Sequence, residues 1–279
     1  MGKVGRYMVL CMAALCARGS SGGEMFHLGQ PYLIKNGERC ADIVISETPA
    51  RSVKFAASEL QEFLFRITGA KLAVTHAPGT NVSAHIYVGR SAETDRMKIT
   101  DAGLKYGAFR MVSSKDCLVL LGHDADFAPR EPWGHNHEDR FRVFKEWDAL
   151  TGATWGNPLM SEHRRYSPEL DLWEADERGS LNAVYEFLRG LGCRWYAPGQ
   201  LGEILPKLKS VAIPKVDRTV HPDFASRHMF FYYHEFWMAH KGIPAEYGSD
   251  DIKWQLRLGL YAHEEVLGHA LAHGIMVVH

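Results

Sequence analysis

The sequence predicts an α+β protein: an N-terminal α/β sandwich, with a mixed, mostly antiparallel sheet and helices on one face, followed by the first, incomplete unit of a (β/α)8 barrel. Three observations lead to this prediction. Short β-type runs surround one strongly amphipathic helix in the first half of the chain. A second amphipathic helix returns after a long aperiodic segment. An apolar strand, a helix and the start of a further element follow residue 223, which is the order of a β/α repeat.

The predicted sandwich opens with two β-type runs, at residues 32–35 and 43–45, separated by Asn36-Gly37. Asn-Gly between apolar runs is typical of a tight hairpin, so we expect the two runs to pair.

The first helix is predicted to open at Thr48-Pro49, with the threonine as cap and the proline in the first turn, and to end at Gly69. Its apolar residues recur at i, i+3, i+4 and i+7, which predicts one buried face. These residues are Val53, Ala56, Ala57, Leu60, Phe63, Leu64 and Ile67.

Four further β-type runs follow, and the last two form a second predicted hairpin. They lie at residues 72–75, 86–88, 109–112 and 118–121. The second run leads into Gly89-Arg90-Ser91, which is either a plain turn or a helix start that binds an anion.

Periodicity disappears between residues 123 and 170. Segments of this length within a domain are functional loops or disordered chain, and the tryptophans in this one argue against disorder. We therefore expect an ordered, irregular insertion that packs against another part of the protein.

The stretch from 179 to 206 contains the second amphipathic helix, a glycine stop at Gly192, an extended aromatic segment and a turn at Pro198-Gly199. Asp176 and Glu177 precede the helix. They could form a catalytic pair, but acidic residues favoured by the helix dipole are the preferred interpretation. A last edge strand is predicted at residues 211–213.

After a break at His221-Pro222-Asp223, we expect an apolar strand over residues 224–233 and a helix capped by residues 249–251. Fewer than 60 residues follow Asp223, whereas a complete barrel takes about 250. We therefore expect this chain to be the N-terminal fragment of a longer protein.

Composition and the N-terminal residues limit which binding partners and which cellular location we expect. The formal net charge is -1, which gives no basic face for nucleic acid, and no apolar run approaches the roughly 20 residues of a membrane span. Lys3, Arg6 and the short apolar core after them predict a signal peptide over residues 1–23 and a secreted or periplasmic location. The remaining cysteines (Cys40, Cys117, Cys193) form neither a disulfide framework nor a metal motif, and no cofactor is expected.

The motif GCRWYAPG followed by GEILP, at the end of the stretch 179–206, resembles the end of the N-terminal domain of α-glucuronidase-like glycoside hydrolases. The same domain type precedes the barrel of family 20 β-hexosaminidases, as their domain 2. Further similar pieces are AASELQEFLFRITGA at 56–70, IYVGRS at 86–91, PDFASR at 222–227, WQLRLGL at 254–260 and LGHAL at 267–271.

The resemblance implies that residues 24–218 form a supporting domain, with the insertion at 123–170, and that residues 219–279 begin a TIM-type barrel. Catalytic carboxylates would come from later barrel strands, so no catalytic residue is assigned. We expect the complete protein to be an exported glycoside hydrolase acting on plant or microbial polysaccharide, and this portion to be inactive alone. The alternative is a non-catalytic carbohydrate-binding or scaffold protein.

Candidate sugar-binding residues are those in or after the first barrel strand, because βα loops build such sites. They are Arg227, His234, Glu235 and Trp237, with His269 added by the resemblance. The alternative is that these are ordinary loop residues and that Arg227 has a structural role.

The late histidines suggest a metal-dependent hydrolase as a third possibility, since His269 and His273 are spaced i, i+4. A zincin helix reads HExxH, and Leu267 stands where the second histidine after His263-Glu264 would be needed, so no metal site is assigned.

Overall fold

The computed structural model describes residues 31–128, 140–152, 166–173, 176–224, 227 and 246–260. The strands are β1 Tyr32–Lys35, β2 Glu38–Arg39, β3 Ala41–Val44, β4 Val74–Thr75, β5 Ala84–Val88, β6 Phe109–Ser113, β7 Cys117–Gly122, β8 Asp124–Ala125, β9 Tyr166–Ser167, β10 Leu172–Trp173, β11 Glu177–Arg178, β12 Arg194–Trp195, β13 Glu203–Ile204, β14 Val211–Ala212 and β15 Asp217–Val220. The helices are α1 Arg51–Thr68, α2 Ala92–Arg96, α3 Arg140–Thr151, α4 Gly179–Gly190 and α5 Glu246–Arg257.

The main sheet has six strands in the order β15-β6-β7-β5-β3-β4. Strands β7, β5, β3 and β4 run parallel to one another. On the other side of β7, β6 pairs antiparallel with β7, and β15 pairs antiparallel with β6 and forms the edge. Of the ten strand pairings in the described part of the chain, seven are antiparallel. The predicted α+β class with a mixed, mostly antiparallel arrangement is thus confirmed, although the parallel pairings all lie in the main sheet.

Helices α1 and α4 pack on one face of this sheet and form the principal core with it, as predicted. The apolar stripe of α1 is buried, as is that of α4. The other face is covered by the segment after α2, through Ile99, Leu104 and Ala108. The sheet is therefore buried on both sides, which explains why the parallel strands β5 and β7 are almost continuously apolar.

A small sheet ties the beginning of the domain to its end. Strand β1 pairs with β2 on one side and with β14 on the other. The predicted hairpin at Asn36-Gly37 forms, and both residues have positive φ, as a tight turn of this kind requires. Its second strand, however, is β2 rather than the run at 43–45, because β3 joins the main sheet instead.

Three local predictions also differ from the structure. Helix α1 has Ala50 at its N-cap rather than Thr48, without a side-chain cap, although it ends at Gly69 as predicted. Strand β15 follows the strand at 211–213 that was predicted to be the last of the domain. Helix α5 begins at Glu246, ahead of the predicted cap at 249–251. The predicted strand at 224–233 lies outside the described residues except at 224 and 227.

The described part of the insertion at 123–170 contains β8, α3 and β9, and β9 pairs with β10 directly after the insertion. No helix in the described ranges is both long and apolar enough to cross a membrane.

Candidate functional site

Polar side chains gather at the carboxyl ends of the parallel strands, which we call the carboxyl edge. Ligands of sheets with parallel strands bind at this end, where the loops after the strands meet helix N-termini. Here the segment after β7 meets the first residues of both α1 and α4. The edge is therefore the part of the described fold in which to look for a site.

Asp124 joins the two helix starts. Its carboxylate accepts the backbone N–H of Ser180 at 3.0 Å and the hydroxyl of the same serine, and it lies 3.4 Å from Ser52 Oγ. Burial raises the pKa of Asp124 to about 7, even though the Ser180 hydrogen bonds and the neighbouring His123 act to lower it. A carboxyl group with this pKa exchanges its proton close to neutral pH.

Asp176 is a fully buried hub rather than an exposed acid at a helix N-terminus. It accepts the N–H groups of Phe127 at 2.7 Å and Trp173 at 2.8 Å, and it pairs with Arg51 at 2.6 Å. The structural interpretation of Asp176 holds, but the charge that balances it is a guanidinium and not the helix dipole. The hydrogen bond to Asp176 also raises the pKa of Arg51.

His123 and Arg90 converge on Asp101. The carboxylate lies 2.9 Å from His123 Nδ1 and 3.2 Å from Arg90 Nη1. Burial alone would raise the pKa of Asp101, but the hydrogen bond with His123 and the nearby Arg90 lower it overall. Since Ser91 caps the short helix α2 and Arg90 is paired with Asp95 and Asp101, the Gly89-Arg90-Ser91 segment is a plain turn and cap.

The polar groups of the carboxyl edge form hydrogen bonds and ion pairs with one another, and these contacts position the loops after the strands. Each of the three central carboxylates (Asp101, Asp124, Asp176) is engaged by two or more donors or cations. In the part of the chain that the structure describes, no group of three or more His, Cys, Asp or Glu side chains could hold a metal ion.

Of the residues predicted to contact sugar, Arg227 is described. Its Nε donates to Gly259 O at 2.9 Å, its Nη1 to Phe224 O at 2.7 Å and its Nη2 to Tyr106 O at 3.1 Å. Arg227 thereby joins three separate segments, which is the geometry of a structural residue. His234, Glu235, Trp237 and His269 lie outside the described residues, as do His263 and His273, and the predicted sugar contacts stay predictions.

A second polar cluster, unforeseen from the sequence, holds α5 against the sandwich. Arg257 lies 3.0 Å from Glu59 on α1 and 2.9 Å from Glu203, and all three side chains are almost completely buried. Tyr185 on α4 donates to the same Glu59 at 3.0 Å. We call Glu59, Tyr185, Glu203 and Arg257 the docking network.

Further contacts reinforce the docking network. Arg257 also lies over the ring of Phe63, Trp254 Nε1 donates to Trp195 O at 3.0 Å, and Arg189 donates to the carbonyl of Arg257. The segment 246–260 is therefore an integral neighbour of the sandwich. Trp195 belongs to the motif that carries the resemblance, so that motif forms part of the docking surface.

One signal in the sequence could have revealed the docking network. Glu59 lies within the apolar stripe of α1, between Ala56 and Phe63, where a charge is expensive unless it is paired. A charged residue on a buried helix face thus predicts a partner, although its identity is set by the tertiary fold. No comparable pattern marked Arg51, which lies at the start of its helix.

The sequence matches no protein-family model and no curated protein. Among solved structures, the chain is similar to a family GH115 4-O-methyl-α-glucuronidase, BtGH115A, described as having specificity for decorated arabinogalactans. The TM-score is 0.50 at 17% identity, over 81% of this chain and 25% of that one. At this identity the likeness shows that the chain shares its fold with part of that enzyme. The chain spans about a quarter of the length of the protein it matches.

Proposed function

We propose that this chain supplies the supporting domain, and the beginning of the following barrel, of an exported glycoside hydrolase of the α-glucuronidase type. The observation that carries the proposal is the fold likeness to part of an α-glucuronidase over 81% of the chain. The docking network adds support, because a domain that clamps the helix after it is suited to carrying a larger neighbour.

In this proposal the sandwich performs no chemistry itself. The carboxylates of the carboxyl edge are held by helix N–H groups and by arginine, whereas glycoside hydrolysis needs two carboxyl groups facing a substrate across a set distance. The catalytic acids would lie in barrel strands later than the one predicted at 224–233, and the substrate would be a plant or microbial polysaccharide bearing α-linked glucuronic acid.

Hydrolysis by the complete gene product tests the proposal. The product would be incubated with glucuronoxylan, decorated arabinogalactan and aryl glycosides, and released uronic acid would be measured by chromatography. Release of glucuronic acid or its 4-O-methyl ether is expected. If none of these substrates is hydrolysed, the proposal is wrong.

A non-catalytic carbohydrate-binding or scaffold protein is the second candidate, favoured by the ordered aromatic side chains of the insertion. It predicts binding of polysaccharide by the gene product with no release of sugar. Export is tested separately, by fractionating the source cells and sequencing the N-terminus of the mature protein, which is expected to begin near residue 24.

A further inference from the structure

An aromatic cluster lies where the insertion meets the start of α1. The ring of Trp173 lies 4.9 Å from that of Tyr166, tilted by 38°, and 5.6 Å from that of Phe127, in an edge-on arrangement. Phe127 is buried, whereas Tyr166 and Trp173 are half-buried. The cluster thus supports the Tyr166 ring from beneath and leaves part of it in contact with solvent.

The position of Tyr166 is fixed at its hydroxyl as well. Its O–H donates to Asp171 Oδ1 at 2.9 Å, and this hydrogen bond raises the pKa of Tyr166. Asp171 has a φ of 50°, in the left-handed region that residues with side chains seldom occupy. Such conformations persist where the surrounding structure enforces them, and they are concentrated at binding sites.

Arg51 supplies a fixed donor, which Asp176 joins to Trp173, the ring neighbour of Tyr166. Its Nε and Nη2 bind Asp176, the same carboxylate that accepts the Trp173 N–H, and Nη2 also donates to Phe127 O. Within the described ranges, its Nη1 has no hydrogen-bond acceptor. Asp171 contributes to raising the pKa of Arg51, and Arg51 acts to lower that of Tyr166, so the three groups lie within electrostatic range of one another.

Carboxylate oxygens complete the surface. Asp126 accepts the backbone N–H of Arg51 through Oδ1, and its side chain is 42% exposed, so Oδ2 faces solvent. Asp171 likewise uses one oxygen for Tyr166 and is exposed. Arg51 thus offers one donor, while Asp126, bonded to Arg51, and Asp171, bonded to Tyr166, each offer one acceptor.

We propose that Tyr166, Asp171, Asp126 and Arg51 form a binding surface for a neutral pyranose unit of a polysaccharide. The face of a tyrosine ring suits the C–H face of a pyranose, while carboxylates and a guanidinium suit its hydroxyl groups. Because the ring and the guanidinium are already held, little conformational entropy is lost on binding. The choice of a carbohydrate as the ligand rests on the proposed function, whereas the surface itself is argued from the geometry.

The charges of the surface disfavour an anionic ligand. Asp126, Asp171 and the paired Asp176 outnumber Arg51, so an anionic uronate or a nucleic acid is repelled. Stacking and hydroxyl hydrogen bonds are insensitive to salt, whereas attraction of a cationic ligand is screened by it. Binding of a neutral polysaccharide is therefore expected to be equal at low and high ionic strength.

Affinity gel electrophoresis of the 279-residue protein in gels containing arabinoxylan or arabinogalactan tests the surface. Retardation of the wild type is expected in at least one gel. Tyr166→Ala should weaken the affinity about tenfold through loss of stacking, and Tyr166→Phe should retain most of it because the ring stays. Tyr196→Ala, at a tyrosine that is 70% exposed on another part of the molecule, is the matched control and should bind like the wild type.

Thermal unfolding of each variant separates loss of the surface from loss of the fold. Absence of retardation of the wild type in both gels, or equal retardation of the wild type and a folded Tyr166→Ala, would overturn the inference. Hydrolysis by the complete gene product without retardation of this chain overturns this inference and leaves the proposed function. Retardation that depends on Tyr166, with no hydrolysis, overturns the proposed function and leaves this inference.

Discussion

Among single residues, Asp124 has the environment that responds most directly to pH. Its carboxyl group lies between the starts of two helices, and its pKa is raised to about 7 in the folded protein. A carboxyl group whose pKa is raised on folding stabilises the folded state most at low pH. The unfolded chain loses this proton near pH 4 and the folded protein loses it near pH 7. The stabilising contribution of Asp124 therefore falls as the pH rises from about 4 to about 7.

The first prediction follows from this sign. Asp124→Asn removes the titrating group and keeps an oxygen to accept the Ser180 N–H. Between about pH 5 and pH 7, the wild type should lose about 2 kcal/mol of unfolding free energy relative to the variant, since one unit of pKa shift corresponds to about 1.4 kcal/mol. Urea unfolding at both pH values measures the difference, with Asp217→Asn on the edge strand β15 as control. An equal change in unfolding free energy between the two pH values for the wild type and Asp124→Asn would contradict the prediction.

The second prediction concerns the pair of the half-buried Arg51 and the fully buried Asp176. Asp176→Asn removes the nearest counter-charge of the guanidinium and the carboxylate that accepts two backbone N–H groups, and it should lower the unfolding free energy by about 3 kcal/mol. The exposed pair of Arg142 and Glu146 on α3 provides the control, because Glu146→Gln should change the unfolding free energy by less than about 1 kcal/mol. Chemical denaturation of the three proteins gives the comparison; equal effects of the two substitutions would show that Asp176 is not the hub described above.

At the scale of the elements, the close approach of α4 to β7 determines how the second helix lies on the sheet. A Cβ atom placed on Gly179 would lie 2.5 Å from Ala108 O and 2.8 Å from Gly122 Cα. Both are backbone atoms, which cannot move aside as a flexible side chain can. Two glycines facing each other thus let the helix start directly above the strand.

The third prediction is that Gly179→Ala destabilises the protein by about 3 kcal/mol, since the helix must shift to admit one methyl group. Gly152→Ala is the control: its φ of 68° is unfavourable for alanine, unlike the φ of Gly179, but a Cβ there meets nothing within 4 Å. It should cost about 1 to 2 kcal/mol from the backbone conformation alone. Thermal denaturation ranks the two, and the reverse order would exclude close packing as the reason for a glycine at 179.

Elements differ in how far sequence reasoning could reach them. Helices α1 and α4 and the hairpin of β6 and β7 were predictable because their periodicity is local and the apolar face is wide. Strand β15 was not, because its residues Asp217 to Val220 are mostly exposed and carry no alternating pattern. It is a strand because β6 offers it a free edge, and that edge lies about 100 residues earlier in the chain.

The polar sites show the same limit more strongly. The partners in the pairs Arg51 with Asp176 and Glu59 with Arg257 lie 125 and 198 positions apart. A sequence shows that a buried charge needs a partner, but not which of many acids or arginines will be adjacent after folding. The docking of α5 was consequently visible only in the structure.

For the molecule as a whole, the docking network determines whether the segment 246–260 moves with the sandwich. Arg257 neutralises two acidic residues that come from different parts of the domain, Glu59 and Glu203. Glu203 also pairs with Arg66 at 2.5 Å, so removing Arg257 alone leaves only the Glu59 carboxylate buried without a cation. An uncompensated buried charge costs more than the loss of the attraction.

The fourth prediction is that Arg257→Met raises the rate of amide hydrogen exchange in residues 246–260 about a hundredfold, which corresponds to about 3 kcal/mol. The double variant Glu59→Gln with Arg257→Met should recover part of this protection, because the uncompensated charge of Glu59 is gone. Mass spectrometry of peptic fragments reports the exchange. Arg218→Met, which removes a half-exposed pair with Glu186, is the control and should leave the segment as protected as in the wild type.

Unchanged exchange in Arg257→Met would mean that apolar contacts alone hold α5. A double variant no better protected than the single one would mean that the charge of Glu59 is not the reason for the loss.

The pairing of β1 with β14 has a consequence for synthesis on the ribosome. Tyr32 lies opposite Ala212, so the first strand emerges about 180 residues before its neighbour is translated. At about 5 to 20 residues per second, that delay is on the order of ten to forty seconds. During this interval the buried side chains Leu33 and Ile34 have no complete pocket to enter. We therefore expect the nascent chain to expose these two side chains until β14 is made and closes over β1.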